Sequence, residues 1–437
     1  MNELVMFNPL VKTLAKWYSK KCSKCGNTCI ETILNSFKEK INCPGCKKQI
    51  LFGKIPLKIL MTYMKIDSSD LNDLSSDKEA VSLVNALFRG ITKHGLKAVR
   101  IGIPIYVVFD ITDKCNLKCI HCYSSEQNEE LTINDVYYIL DMLYGAGIGM
   151  IDFGGGEPLL RKDIFDIISY SKNLGLYTSI STNGTLLNDD YVKHLKALDI
   201  DHVCISLDGV KPETHDYVRN KRGTYEKTII GIKNCVKAGI NTQISTVFMK
   251  SNIDELVDIY NLLYLLNVDG WYIYDFVSAG RGKELKKEVL GPKQRGELFA
   301  RLQDLAVSSK MPLKPYPYSI TVNSACGTDT YFYKKYGKLT ELFKGCLSAR
   351  WVCHISSNGD LHPCHLLPHK LGNLKQEVFE DIWFNKDNPV LKELRDRTLL
   401  KGNCGICKYR DVCGGCRAQA FWNTGDYLES DTCWIKI

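Results

Sequence analysis

The chain contains 437 residues, of which 45% are hydrophobic and 24% are charged. This balance excludes a disordered or collagen-like protein and predicts two or three globular domains. No uncharged apolar run reaches the ~20 residues of a membrane-spanning helix, and the first 14 residues lack a signal-peptide pattern, so we expect a cytoplasmic protein. Residues 1–105 carry a net charge of +9, from 17 basic and 8 acidic residues, whereas the whole chain carries +8. This asymmetry predicts an anionic partner for the first quarter.

Cysteine is abundant, with 19 residues, most of them in tight clusters. Cytosolic thiols stay reduced and an odd number cannot all pair, so we interpret the clusters as metal or iron–sulfur ligands rather than disulfides. The first cluster lies in residues 1–50, where two Cys-x2-Cys knuckles are separated by 17 residues. This spacing predicts a ribbon that binds one zinc or one rubredoxin-like iron. The predicted ligands are Cys22, Cys25, Cys43 and Cys46.

Residues 51–104 favour a basic, mostly helical connector. Apolar residues recur at helical spacing from Ala80 to Ile91. A second stripe of the same region is basic and contains Arg89, Lys93, Lys97 and Arg100. Two interpretations stay open: an ordinary helix packed on the next domain, or an interfacial helix that places the protein peripherally at a membrane.

Between residues 105 and 320, short apolar runs alternate with segments of helical period. The predicted strands are 105–111, 149–153, 177–181, 202–207, 241–247 and 271–276. Six strands alternating with five helices predict a parallel α/β sheet, which right-handed crossovers curl into a partial (β/α)6 barrel. Functional residues are expected at the carboxyl ends of these strands.

Three cysteines, Cys115, Cys119 and Cys122, directly follow the first strand. Three thiolates bind three irons of a cubane and leave the fourth open to a ligand, whereas electron-transfer clusters take four cysteines. A structural zinc site with a distant fourth ligand is the alternative. The second strand ends in Gly-Gly-Gly-Glu-Pro, residues 154–158. Its glycines allow close backbone approach, and Glu157 can accept from an ammonium group.

These features resemble the radical S-adenosylmethionine (SAM) superfamily: Cys-x3-Cys-x2-Cys with Tyr123 after the last cysteine, then a glycine–glycine–glutamate motif one strand later. The resemblance implies a [4Fe–4S] cluster on the three cysteines and SAM at its open iron. It further implies reductive cleavage of SAM to a 5′-deoxyadenosyl radical and hydrogen abstraction from a substrate C–H bond, in an anaerobic enzyme served by a low-potential donor of ferredoxin or flavodoxin type. The cofactor-binding residues that it implies are Gly155, Gly156, Glu157, Ser181, Asn183, Ser206, Asp208 and Arg219.

Residues 321–437 lose the strand–helix rhythm and are rich in cysteine. The order of these cysteines resembles the SPASM extension of radical SAM enzymes, which implies two auxiliary [4Fe–4S] clusters. By the interleaved pattern of that family, one cluster takes Cys346, Cys364 and Cys416 together with Cys353 or Cys326. The other takes Cys404, Cys407, Cys413 and Cys433. Two zinc knuckles are the alternative.

The substrate class is suggested by two details. Cys413-Gly-Gly-Cys416 has two residues where the SPASM pattern usually has three, and Ala279-Gly-Arg281-Gly282 follows the sixth strand. Both resemble the branch that decarboxylates or removes side chains of siroheme-derived tetrapyrroles in heme and heme d1 biosynthesis, which implies an amphipathic, anionic substrate. The N-terminal extension is not typical of that branch and favours an alternative, the joining of isoprenoid membrane lipids. Ribosomal peptide maturation is a third interpretation, and no nucleic-acid partner is expected.

Overall fold

The computed structural model of the protein describes most of the chain. The described residues are 8–36, 41–47, 50, 78–95, 102–124, 129–308, 345–411 and 413–433. Within these ranges, no helix has the length and apolar character needed to cross a membrane.

A nine-stranded sheet organises the described residues. Its first six strands pair side by side in chain order, and every pairing is parallel. They are β1 Tyr106–Thr112, β2 Met150–Gly155, β3 Tyr177–Thr182, β4 His202–Ser206, β5 Thr242–Phe248 and β6 Gly270–Asp275. The predicted α/β fold, a partial barrel of parallel strands, is confirmed.

Helices precede, connect and follow these strands. The described helices are α1 Asn8–Tyr18, α2 Cys29–Asn35, α3 Lys78–His94, α4 Ile133–Ala146, α5 Ile164–Leu174, α6 Asp189–Ala197, α7 Pro212–Arg219, α8 Thr224–Lys237, α9 Leu256–Leu266, α10 Pro292–Ser308, α11 Phe379–Trp383, α12 Pro389–Arg395, α13 Gly402–Ile406 and α14 Arg417–Thr424. At least one helix lies between each pair of consecutive strands from β1 to β6, as parallel pairing requires.

Local sequence explains these elements well. The strands are buried on both faces, with Phe109 of β1 and Phe153 of β2 at 0% exposure, as expected for a parallel sheet covered by helices. Helix α4 begins with a capping box, in which the side chain of Thr132 accepts from the N–H of Asp135 and the Asp135 carboxylate accepts from the N–H of Thr132. It ends at Gly147 in the left-handed conformation. Short-range signals therefore set where the crossover helices begin and end.

The C-terminal region joins the same sheet. Its strands are β7 Val352–Ile355, β8 Asp360–His362 and β9 Gly372–Asn373. Strand β7 pairs in parallel with β1, and β8 and β9 continue the sheet in antiparallel fashion. The cysteine-rich region is thereby fixed to the first barrel strand.

The N-terminal module packs through α3 on the end of the barrel where the parallel strands begin. Arg89 of α3 donates to the carbonyl of Ile148 at 2.9 Å, just before β2 begins. A Cβ on Gly149 would lie 2.3 Å from Cβ of Ala86, so α3 sits directly on this connection. Phe88 and Ile91 of α3 are 6% and 8% exposed. The structure thus supports the interpretation that this helix packs on the barrel. Lys97 and Arg100 of the predicted basic stripe lie outside the described residues.

Candidate active site

A cavity of about 390 Å³ opens at the carboxyl ends of the parallel strands. Its walls come from the loop after β1, from the ends of the later strands and from the C-terminal cysteine region around Cys364. Catalytic groups of barrel enzymes collect at this end of the strands. The cavity is therefore the candidate active site.

The loop after β1 brings Cys115, Cys119 and Cys122 to one wall of the cavity. The N–H of Leu117 donates to Cys115 Sγ at 3.4 Å, and Arg219 donates to Cys119 Sγ at 3.8 Å. Hydrogen bonds to sulfur favour the thiolate, the form in which cysteine binds iron.

Two glycines fit the end of β2 tightly against this loop. A Cβ on Gly155, which has φ +115°, would lie 2.2 Å from the carbonyl oxygen of Thr112, and a Cβ on Gly156 would lie 2.3 Å from that of Lys114. The N–H of Gly156 donates to Thr112 at 2.7 Å, and the N–H of Glu157 donates to Lys114 at 2.8 Å. The glycine motif therefore holds the cysteine loop in place, and both glycines line the cavity.

Glu157 is fully buried behind the same wall. One carboxylate oxygen accepts from Thr182 Oγ1 at 2.7 Å, and the other accepts from the N–H of Asn183 at 2.8 Å. Burial raises the pKa of Glu157 to about 6, although these donors oppose the shift. Its side chain joins the ends of β2 and β3 and does not line the cavity. Direct contact with a cofactor ammonium stays a prediction.

Ser181, Asn183 and Ser206 line the cavity at the ends of β3 and β4. Ser181 donates to Asp152 at 2.6 Å. The amide of Asn183 donates to Asn116 Oδ1 at 2.8 Å, and Asn116 belongs to the cysteine loop. The predicted cofactor contacts of these residues are untested, but Asn183 has a defined role in joining β3 to the loop.

Arg219 lines the cavity, and Asp208 lies behind it. The two form an ion pair at 2.5 Å with side chains 7% and 0% exposed. Burial by itself would raise the pKa of Asp208, but Arg219 and two nearby histidines hold that pKa below its usual value. Nε of Arg219 has no hydrogen-bond partner among the described residues. The guanidinium therefore keeps one donor for a ligand carboxylate.

Cys346, Cys364 and Cys416 lie near one another and also line the cavity. Burial raises the pKa of the Cys416 thiol, and the neighbouring Asp431, Cys346 and Cys364 raise it further. Backbone N–H groups donate to Cys364 Sγ at 3.5 Å and to Cys416 Sγ at 3.4 Å. These donors again suit thiolate ligands, so the three residues fit part of an iron–sulfur site.

The second predicted set lies in the same region. Gly415 donates to Cys413 Sγ at 3.4 Å, and a Cβ on it would lie 3.1 Å from Cys404 Sγ. Cys407 accepts from the N–H of Tyr409 at 3.4 Å, and Cys433 packs against Cys413. The structure brings these four cysteines into one region with donors suited to thiolates, and their assignment to one cluster stays a prediction.

Cys353 is the exception among the predicted ligands. It lies in β7 opposite Val107 of β1, is 0% exposed, and belongs to the hydrophobic core. No hydrogen bond from a described residue reaches its sulfur, and burial alone raises its pKa. Its place in the sheet argues against metal binding, and the role of Cys353 as a ligand stays a prediction. The other candidate for that position, Cys326, lies outside the described residues.

The N-terminal quartet forms a closed metal site. The sulfurs of Cys22, Cys25, Cys43 and Cys46 all lie within 4.8 Å of one another, and the Cys22–Cys43 and Cys25–Cys46 pairs are 3.8 Å and 3.4 Å apart. A tetrahedral site with metal–sulfur bonds of about 2.3 Å places its sulfurs about 3.8 Å apart. The predicted four-cysteine site is confirmed, and its geometry fits a single ion with no open position.

Several residues that line or support the cavity were not among the predicted site residues. Asp110 accepts from the Tyr123 hydroxyl at 3.0 Å and lies 2.9 Å from His354 Nε2, so it joins the cysteine loop to β7. His365, next to Cys364, lines the cavity. Arg281 donates to the carbonyl of Cys119 at 2.9 Å. The tyrosine after the last cysteine and the Pro-Cys-His sequence at 363–365 were the available signals for two of these residues.

Comparisons with known proteins agree with this geometry. The sequence pattern of the radical SAM superfamily matches residues 109–263, and that of the SPASM iron-sulfur cluster-binding domain matches residues 346–417. The fold resembles a crystal structure of Streptococcus suis SuiB bound to S-adenosylmethionine, with a TM-score of 0.65, 18% identity and 90% of each chain covered.

Two curated relatives from Methanosarcina barkeri are more similar in sequence. Its AdoMet-dependent heme synthase is 34% identical over 336 residues, which cover 75% of this chain and 95% of that protein. Its Fe-coproporphyrin III synthase is 30% identical over 340 residues, which cover 72% of this chain and 84% of that protein.

Proposed function

The chain belongs to the radical SAM superfamily and carries a SPASM domain, and on this premise we propose that it removes or decarboxylates side chains of a siroheme-derived tetrapyrrole. The observation that carries the proposal is the similarity to the heme synthase and the Fe-coproporphyrin III synthase of Methanosarcina barkeri over most of their length. Both of those names refer to iron tetrapyrroles.

The chemistry of the cavity supports this substrate class. Tyr106, Tyr274 and Phe276 present aromatic surface to it, and the guanidinium groups of Arg219 and Arg281 line it as well. A tetrapyrrole combines a flat conjugated face with peripheral carboxylates. Aromatic walls suit the face, and arginines suit the carboxylates.

The residues of the chain hold and align the reactants. When bound, SAM and an iron–sulfur cluster supply the hydrogen-abstracting chemistry. Cys115, Cys119 and Cys122 would hold that cluster. Gly155 and Gly156 fix the cysteine loop against β1 and β2, and C-terminal cysteines line the same cavity. A substrate in the cavity therefore lies beside both cysteine regions.

The test uses full-length protein reconstituted with iron and sulfide under anaerobic conditions. We expect it to produce 5′-deoxyadenosine from SAM and to convert Fe-coproporphyrin III, or a siroheme-derived precursor of it, to a product with fewer carboxyl groups, detected by mass spectrometry. A protein with Cys115→Ala, Cys119→Ala and Cys122→Ala should do neither. Wild-type protein that cleaves SAM but neither binds nor alters any of these tetrapyrroles would contradict the proposed substrate.

The alternative of isoprenoid lipid joining has less support. The membrane contact that would accompany it depended on an N-terminal helix with free apolar and basic stripes, but Phe88 and Ile91 are buried. Arg89 donates to Ile148, and Lys93 forms an ion pair with Glu380. These members of both stripes contact the protein itself, so the tetrapyrrole substrate is favoured.

A further inference from the structure

His365 occupies a distinctive place in the cavity wall. It directly follows Cys364, and both residues line the cavity. The ring of Tyr123 contacts the His365 ring edge-on, with centroids 5.1 Å apart. The imidazole thus lies near both cysteine regions.

Of the two neighbouring histidines, one is bound to a carboxylate and the other lies outside the cavity wall, whereas Nε2 of His365 has no partner among the described residues. His354 Nε2 lies 2.9 Å from Asp110, and His362 does not line the cavity. His365 Nδ1 has only a long contact of 4.0 Å to Cys364 Sγ, and no hydrogen bond joins Nε2 to a described residue. One imidazole nitrogen of this cluster is therefore available to a ligand in the cavity.

His121 also lines the cavity, but it suits a different position. It lies between Cys119 and Cys122 on the cysteine loop and interacts with Asp208 and Arg219. A tetrapyrrole must present a peripheral side chain to the SAM site, so the centre of its ring lies set back from that loop. A group that binds the ring centre must therefore lie outside the Cys119–Cys122 segment that carries His121, and His365 comes from the C-terminal region.

We propose that Nε2 of His365 binds the iron of the tetrapyrrole substrate as an axial ligand. Imidazole nitrogen is a preferred ligand of iron in tetrapyrroles. This inference rests on the proposed function and narrows it: the enzyme selects the iron-bearing tetrapyrrole over the metal-free form. It also fixes the distance of the ring centre from the cysteine loop, and hence which side chain meets the SAM site.

The test compares two probes, ferric Fe-coproporphyrin III and metal-free coproporphyrin III, bound anaerobically to the full chain. Wild-type protein should bind the iron form more tightly, and resonance Raman excited in the Soret band should report a nitrogen axial ligand. His365→Ala and His365→Gln should lose that signature and weaken binding of the iron form by roughly 10- to 100-fold, the range typical when groups supporting a metal site are removed. Binding of the metal-free form should not change.

His362→Ala is the matched control, because it removes an imidazole from the same cluster outside the cavity wall. It should leave the ligand signature intact. A nitrogen-ligand signature that persists in both His365 variants overturns the inference. Loss of cluster iron from these variants without substrate, or an altered electron paramagnetic resonance spectrum of their clusters, also overturns it. Either result would make His365 a support of the cluster. Failure of wild-type protein to bind either probe would instead overturn the proposed function.

Discussion

At the scale of single residues, the active site depends on two glycines, which have no side chain. Gly155 and Gly156 leave room for the carbonyl groups of Thr112 and Lys114, which accept hydrogen bonds from Gly156 and Glu157. Any Cβ at these positions would lie well inside van der Waals contact with backbone oxygen, which cannot rotate away. The glycines are thus required by the close approach of two backbone segments rather than by contact with a cofactor alone.

Gly156→Ala should displace the cysteine loop, because the new Cβ would lie 2.3 Å from the carbonyl oxygen of Lys114. We expect a loss of about 1–3 kcal/mol in the free energy of unfolding, together with lower iron content and less 5′-deoxyadenosine. Gly145→Ala in α4 is the control, since a Cβ there has no neighbour within 4 Å. It should be neutral or stabilising by up to ~1 kcal/mol. Equal iron content in both variants would contradict this role of Gly156.

His202 shows how a buried imidazole makes stability depend on pH. It is 2% exposed in β4, and its Nδ1 lies 3.1 Å from the Tyr177 hydroxyl. Burial lowers the pKa of His202 from 6.5 to about 3. The unfolded chain therefore takes up this proton first as the pH falls. Above pH 6.5 the ring is neutral in both states, whereas between pH 6.5 and about 3 only the unfolded chain is protonated, which lowers the stability of the fold.

The free energy of unfolding should consequently fall as the pH drops below 6.5, with His202 contributing up to ~1.4 kcal/mol per pH unit. His202→Gln should flatten the dependence by that amount between pH 6 and pH 4, measured by denaturant titration at each pH. The exposed His194 on α6 provides the control substitution, His194→Gln, which should leave the slope as in wild type. An unchanged slope in the His202 variant would show that other groups dominate.

At the scale of elements, β7 decides where the C-terminal cysteines lie. Its parallel pairing with β1 places Cys353 in the core and leaves Cys346 and Cys364, on either side of the strand, at the cavity. Arg295 of α10 makes a second contact. Its fully buried side chain forms ion pairs with Asp275, at the end of β6, over 2.6 Å and with Asp431 over 3.2 Å. The C-terminal region is therefore anchored at both edges of the barrel.

Cys353→Ala should keep the iron content of wild-type protein, because this thiol packs among apolar neighbours in the core. A modest loss of stability, on the order of 1 kcal/mol, is expected from the smaller side chain. Cys364→Ala is the matched comparison and should lower iron by as much as one cluster per chain, measured with sulfide after reconstitution. A comparable loss of iron from Cys353→Ala would establish Cys353 as a ligand.

The same elements show which parts of the fold local sequence patterns can predict. The barrel strands and crossover helices could be predicted, because alternating apolar runs, the Thr132 cap and Gly147 are local signals. The place of Cys353 could not, because it depends on the pairing of β7 with β1, about 245 residues earlier in the chain. Cysteine spacing alone does not separate a ligand from a small core residue. The Asp110–His354 contact was missed for the same reason.

At the scale of the whole molecule, the N-terminal four-cysteine site with its flanking residues, called the ribbon below, and the active site occupy opposite ends of the barrel. Helix α3 packs where β2 begins, whereas the cavity lies where the strands end. Five exposed lysines surround the ribbon: Lys16, Lys20, Lys21, Lys24 and Lys47. Neither the N-terminal metal site nor these lysines line the cavity. Docking through the lysine surface can therefore be changed without changing the active site.

The final prediction concerns this lysine surface and an anionic membrane. Each basic residue near such a surface adds about 1 kcal/mol at most, and salt screens it beyond a Debye length of ~10 Å at 0.1 M. Full-length protein should therefore sediment with anionic liposomes at low salt and release at high salt. Replacing the five ribbon lysines with glutamine should abolish sedimentation and leave SAM cleavage unchanged, because the cavity lies at the other end.

The matched control replaces five exposed lysines on α6 and α8, Lys193, Lys196, Lys227, Lys233 and Lys237, with glutamine. Both variants then have the same net charge, so a difference between them reports position rather than total charge. Sedimentation lost only in the ribbon variant would make the N-terminal module a membrane-docking surface. Equal loss in both variants would show a non-specific effect of charge, and wild-type protein that stays in solution at low salt would contradict membrane docking. The closed four-cysteine site would then serve to hold α1 and α2 against α3, a purely structural role.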